Sequence, residues 1–152
     1  MNRNYLTYTL TTLIITILLL SCNREKNPTS NSTTYNEYIG SWPGLIKAMG
    51  AGAVNENLPV EYQQAGSLRA AKVDLYRNIL EEIKLLPVSE RETIEVMMND
   101  NDRIQSKILE VLRDPEITEI NYLQSGACEI NGYVLSIDII AVVAPYLSEY
   151  DN

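Results

Sequence analysis

SLRAAKVDLYRNILEEIKLL, residues 67–86, is the stretch on which the fold turns. Leu68, Ala71, Leu75, Tyr76, Ile79, Ile83 and Leu86 recur at three- and four-residue steps, the spacing that lines one face of a helix. Pro87 follows and stops it, because proline can neither donate to the helix ladder nor leave the preceding residue free to be helical. Arg69, Asp74, Arg77, Glu81 and Lys84 fall on the other faces, with Arg77 and Glu81 four apart as an exposed pair. An apolar stripe of this length has to be buried against other elements, so the rest of the chain is read for partners.

Downstream of Pro87 the helical signals continue. Ser89-Glu90-Arg91-Glu92 has the form of a capping box, followed by a short helix to about Met98 with Ile94, Met97 and Met98 inward. Met97 and Met98 suit core filling. Asn99-Asp100-Asn101-Asp102 has the look of a calcium loop. However, Ile104, Gln105 and Val111 stand where that loop needs oxygen, glycine and glutamate, so no calcium site is expected. The bland reading is a turn, with Asp102 and Gln105 capping a helix that runs to about Arg113 and buries Ile104, Ile108, Val111 and Leu112.

After Asp114-Pro115 the character changes. Ile117, Ile120, Tyr122 and Leu123 favour strands. Glu129-Ile130-Asn131-Gly132-Tyr133-Val134 predicts a hairpin turning at Asn131-Gly132. Tyr133 to Ile139 reads as a half-buried strand with Ser136 and Asp138 outward. Ile139 to Ala144 is apolar throughout and fits strand or helix, and Tyr146 to Asn152 reads as a polar tail. Upstream, Tyr35, Tyr38, Ile39 and Trp42 form an aromatic cluster with Trp42 as a core plug. Ser41 and Pro43 are placed to start a short helix through Leu45, Ile46 and Met49 that ends at Gly50. Residues 51–66 have no clear period and read as a loop, with an edge strand at Pro59 to Tyr62. Gly50-Ala51-Gly52 lacks the third glycine and the Lys-Ser/Thr of a phosphate loop. The expected fold is therefore α+β, three to four helices first and a β-hairpin last, with a mainly α fold as the alternative.

The N-terminus is of another kind. Tyr5 to Leu20 is an apolar run of 16 residues, shorter than the roughly 20 that span a bilayer core. It ends in Leu19-Leu20-Ser21-Cys22. This stretch resembles the lipobox of bacterial lipoproteins, and the resemblance covers residues 1–22 only. It implies a signal peptide over residues 1–21, cleavage before Cys22, and fatty acylation of the Cys22 sulfur. An uncleaved membrane anchor and a plain secretory leader are the other readings. Asn23 after the cysteine points to the outer membrane by the same resemblance. Residues 23–34, NREKNPTSNSTT, hold no apolar side chain and read as a tether of up to about 40 Å. Residues 35–152 remain as one globular domain.

Composition narrows what that domain does. There are 12 Lys and Arg against 20 Asp and Glu, a net charge of −8. An acidic surface repels phosphate backbones, so nucleic acid is not an expected partner and membrane attachment would come from lipid. The chain has no His, which removes Ser-His-Asp and Cys-His catalysis and most zinc and haem sites. No metal, cofactor or catalytic residue is assigned. With Cys22 acylated, Cys128 has no partner within the chain and is expected to be buried and inert, with cross-chain pairing and reactivity as alternatives. Glu129 and Asp138, on the proposed hairpin, would lie on the order of 13 Å apart, too far for a glycosidase pair. The expectation is a lipid-anchored envelope protein that binds another envelope protein without catalysis. The alternatives are a carboxylate-based hydrolase of envelope polymers and a small immunity-type inhibitor, whose acidic surface would suit a basic partner.

Overall fold

The computed structural model describes residues 37–150. The stretches read as signal peptide and tether, with Cys22, and Tyr35 after them, lie outside the described residues. Within those residues the chain forms an α+β fold. In order it runs β1 (Leu45–Gly52), α1 (Val60–Lys84), α2 (Ile94–Asp100), α3 (Asp102–Val111), β2 (Glu116–Tyr122), β3 (Cys128–Leu135), α4 (Ser136–Val143) and a 3₁₀ segment (Ala144–Tyr150). The strands make one antiparallel sheet in the order β1-β3-β2, and β2 and β3 form the expected C-terminal hairpin.

Helix α1 lies across one face of the sheet. Ser67, Ala71, Leu75, Ile79 and Ile83 are its buried residues, one per turn. Ala71, Leu75, Ile79 and Ile83 come from the predicted stripe, whereas Leu68 and Tyr76 are half-buried, Leu86 lies past the helix end and buried Ser67 was not in it. Its first half rests on the strands. There Gly50, Gly52 and Gly132 offer no side chain, so a Cβ built on any of them would collide with α1. Its second half, with Ile79 and Ile83, joins the helical end of the core: Val88, Ile94, Met97, Ile104, Ile108, Ile139 and Val143, all fully buried. Trp42 plugs this core and its Nε1 donates to the Pro87 carbonyl at 2.8 Å.

Several local expectations are corrected. Residues 45–52 are strand, not helix. Their even positions Ile46, Ala48, Gly50 and Gly52 pair with Val134, Gly132, Ile130 and Cys128 on the α1 side. Ser41 does not start a helix but follows a helical turn at 37–40, and its hydroxyl donates to the Tyr38 carbonyl at 2.6 Å. Pro59 to Tyr62 is the first turn of α1, not an edge strand; Tyr62 N–H donates to Pro59 O at 2.8 Å. The helix therefore begins seven residues before Ser67, and those solvated turns carry no apolar stripe to announce them.

Asn131-Gly132 is mid-strand, not a turn. The hairpin turns instead at 123–127, where Leu123 N–H bonds Ala127 O at 2.9 Å and Gly126 takes a φ of 81°. Gly132 is wanted for room: a Cβ there would sit 2.8 Å from both Leu75 Cδ2 and Glu116 O. The last strand ends at Leu135. Ser136 is buried, opens α4 and donates its hydroxyl to the Pro43 carbonyl, and Asp138 lies on that helix. Residues 139–143 are thus helix, and the described part of the expected polar tail belongs to the 3₁₀ segment, whose Tyr146 and Leu147 pack on the core.

The caps shift as well. Ser89 and Glu92 form no capping box. The chain folds back so that Val88 N–H bonds Glu92 O at 2.9 Å and Ile94 N–H bonds Leu86 O at 3.0 Å, and α2 starts after Thr93. Asn101, not Asp102, caps α3; its Oδ1 accepts from Arg103 N–H at 3.0 Å and Ile104 N–H at 3.4 Å. On α1 the ion pairs are Arg77–Asp74 at 2.6 Å and Lys84–Glu81 at 2.9 Å, instead of Arg77–Glu81. Each of these basic residues reaches one turn back, and as exposed pairs they contribute little.

Candidate functional site

Because α1 covers one face of the sheet, the other face is left to solvent. Strict alternation puts Leu45, Lys47, Met49 and Ala51 of β1 there, with Glu129, Asn131, Tyr133 and Leu135 of β3. Glu116, Glu119 and Asn121 of β2 complete the row, opposite Tyr133, Asn131 and Glu129. Those of β3 are half-buried or exposed, whereas the residues alternating with them toward α1 are buried. Met49 and Leu135 are 51% and 42% exposed.

A shallow hollow of about 340 Å³ lies on this face. Leu45, Lys47, Thr118, Asn131 and Tyr133 line it, above the paired backbones of Ala48 and Gly132. A β-bulge between Ile117 and Glu119 shapes one wall. Thr118 Oγ1 donates to Asn131 O at 3.2 Å, and Asn131 Nδ2 donates to Glu119 Oε2 at 3.0 Å. Those bonds commit the threonine and the amide to holding the wall. The Lys47 ammonium and the Tyr133 phenol, cross-strand neighbours, remain as the donors a ligand would meet. Among the described residues Lys47 has no ion-pair partner. The arrangement suits polar and apolar contact over a flat surface.

Cys128 is fully buried on the α1 side of β3, opposite Gly52 and Tyr122. Burial pushes its thiol above the ordinary range, and the neighbouring Glu129 charge adds to that. Both effects disfavour the thiolate, which is the nucleophilic form. Thiol alkylation of the folded protein near pH 8 is expected to be far slower than of the urea-unfolded chain. The folded state holds the proton more tightly than the unfolded state, so stability present below roughly pH 8.5 declines above it. A Cys128→Ala protein should lack that part of the alkaline decline in urea titrations. Equal alkylation rates for folded and unfolded protein would contradict this picture.

The remaining sequence candidates are scattered. Trp42, Met97 and Met98 are core. Gly50, Ala51 and Gly52 are strand, and Asn99 to Asp102 joins α2 to α3. Glu129 and Asp138 do not share a hairpin, since Glu129 is on β3 and Asp138 on α4. Among the described residues no three His, Cys, Asp or Glu side chains group as metal ligands, and no helix is long and apolar enough to cross a membrane. Asn131 and Tyr133 escaped as site residues because Asn131-Gly132 was read as a turn, and Lys47 because Leu45 to Gly52 was not recognised as a strand. The alternation of Leu45 to Gly52, with glycine at two inward positions, is the signal that would have found Lys47. Set against protein-family models, curated proteins and solved structures, the chain has no match in any of the three.

Proposed function

We propose that this protein is a cell-envelope lipoprotein, held at the outer membrane by fatty acids on Cys22, and that its acidic domain is a non-catalytic module binding another envelope protein. The observation that carries the binding part is the sheet's single covering. A three-stranded sheet packed by α1 on one face leaves half-buried Tyr133 and exposed Met49 and Leu135 on the other. Contiguous apolar and polar surface of that kind is what a protein partner covers. The anchor part rests on Leu19-Leu20-Ser21-Cys22 at the end of the apolar run. The two parts agree, because an anchored domain on a polar tether meets partners within a short radius.

The test has two arms. Cys22→Ser is expected to abolish incorporation of labelled palmitate and leave the precursor uncleaved; unchanged labelling would sink the anchor. For the module, a photo-cross-linking residue in place of Met49 should give a discrete adduct with an envelope protein in intact cells, while the same residue in place of Leu85 should not. No adduct at either position under several growth conditions would argue against a binding role.

A further inference from the structure

The two edges of the sheet are finished differently. Along β1, side chains of α1 take up ladder positions: Asp74 Oδ2 accepts from Ala51 N–H at 3.0 Å, and Asn78 Nδ2 donates to Met49 O at 2.8 Å. Arg77 holds the Asp74 carboxylate in place at 2.6 Å. Another strand could not pair there without displacing them. Along β2 nothing comparable exists among the described residues. The strand is last in the order β1-β3-β2, and every residue but Ile117 is exposed. An edge left with unpaired N–H and C=O groups is a template for a further strand.

The side chains of β2 state what that strand should be. On the α1 side, Ile120 and Tyr122 pair with Ile130 and Cys128, yet remain 47% and 40% exposed. They lack an apolar neighbour on the outer side. On the opposite side, Glu116 and Glu119 belong to the edge strand; Glu119 accepts from Asn131 Nδ2 through Oε2, which leaves its Oε1 for a neighbour. Cross-strand neighbours sit about 5 Å apart, where opposite charges attract and like charges repel. We propose that the outer edge of β2 receives an extended segment of another envelope protein as a fourth strand, in which apolar and basic residues alternate. The apolar residues would cover Ile120 and Tyr122, and the basic ones would face Glu116 and Glu119. A second copy of this chain fits less well. Two β2 strands paired antiparallel about Glu119 would set carboxylate against carboxylate, between molecules of net charge −8. This inference rests on the reading of the domain as a binding module and names the edge and the partner's chemistry.

The test uses the full-length protein in detergent and a synthetic peptide of alternating lysine and valine. Saturable binding by fluorescence anisotropy is expected, with amide shift changes concentrated at residues 119–122. N-methylation of every peptide backbone nitrogen should remove binding, since strand addition needs those donors. Glu119→Lys should weaken the peptide at least about tenfold and allow a glutamate–valine peptide to bind. Glu110→Lys, a charge change on the exposed side of α3, should alter affinity less than about twofold. Equal binding of the methylated peptide, or equal weakening by Glu110→Lys, would mean bulk charge attraction and overturn the proposal. So would concentration-dependent dimerisation that the peptide fails to disrupt. Lack of peptide binding together with a Met49 cross-link would overturn the edge alone and leave the module standing; lack of both would overturn both.

Discussion

Gly52→Ala is expected to destabilise the protein by about 3–5 kcal/mol, and Gly52→Val to prevent folding. A Cβ at Gly52 would fall against the Ser67 carbonyl oxygen, 2.5 Å from Ala71 N and 2.9 Å from Ser67 C. All three belong to the α1 backbone, so no rotamer change relieves the overlap. The helix would have to lift off the sheet. Doing so opens the contact made by fully buried Ala71. It also strains the anchor at Ser67, whose hydroxyl lies 3.0 Å from both Gln64 O and Gly126 O, one of which takes its proton. The contact with Gly126 O brings the β2–β3 turn against the helix. Domains are stable by only about 5–15 kcal/mol, so the loss is a large share. Gly44→Ala is the control. A Cβ there meets nothing within 4 Å, and its effect should stay within about 0.5 kcal/mol. Urea titrations followed by circular dichroism measure both. Equal midpoints for the two variants would show that α1 does not rest on the strand at Gly52.

The second large effect is expected at Leu75, which is fully buried where α1 crosses the sheet. Leu75→Ala should cost about 3–5 kcal/mol, the loss of apolar transfer plus a cavity that rigid strands cannot close. The same side chain explains Gly132, because Leu75 Cδ2 would stand 2.8 Å from a Cβ at that position and Cδ1 3.6 Å. Gly132→Ala alone should therefore cost about 1–3 kcal/mol. In the double variant the added methyl enters the space Leu75 vacated. The two costs should sum to less than their separate values by about 1 kcal/mol or more, with contact to Glu116 O as the residue of strain. A double-mutant cycle by urea unfolding measures the coupling, and strict additivity would show that Leu75 and Gly132 do not share that space.

These glycines also explain where reading the sequence succeeded and where it misled. The α1 stripe and the apolar sides of α2 and α3 were legible because each carries its own periodicity, and Ile117, Ile120, Tyr122 and Leu123 because their side chains favour strands. Glycine carries no side chain and so leaves no mark on a periodic pattern. Gly50 looked like a helix stop and is a seat for the α1 backbone at Ala71 and Leu75; Gly132 looked like a turn and is a seat for the Leu75 side chain. Positive φ is required at Gly126, in a turn that no Asn-Gly pair announced. Ser136 looked outward by alternation, but its hydroxyl finds the Pro43 carbonyl, distant in sequence, and there the strand gives way to α4.

The candidate site was less legible than the fold. Cys22, the one site residue assigned, lies outside the described residues, and its proposed role rests on a local pattern of an apolar run, a small residue and a cysteine. The open face and the β2 edge are relations between strands. Which face α1 covers, which edge Asp74 and Asn78 close, and which carboxylates stand at the free edge depend on strand order and register. Neither is set by composition.

By itself, then, the sequence determined the class of the fold, the stripe that organises its core, the acidic balance and the absence of histidine chemistry. Each of these is a property of residues near one another along the chain, or of their totals. Only the tertiary structure decided that Leu45 to Gly52 is a strand, that Asn131-Gly132 lies in mid-sheet, and that β2 is the edge left open among the described residues. The physical reason is close packing. A helix laid on a sheet selects the positions that can have no side chain, and that selection passes between segments far apart in sequence.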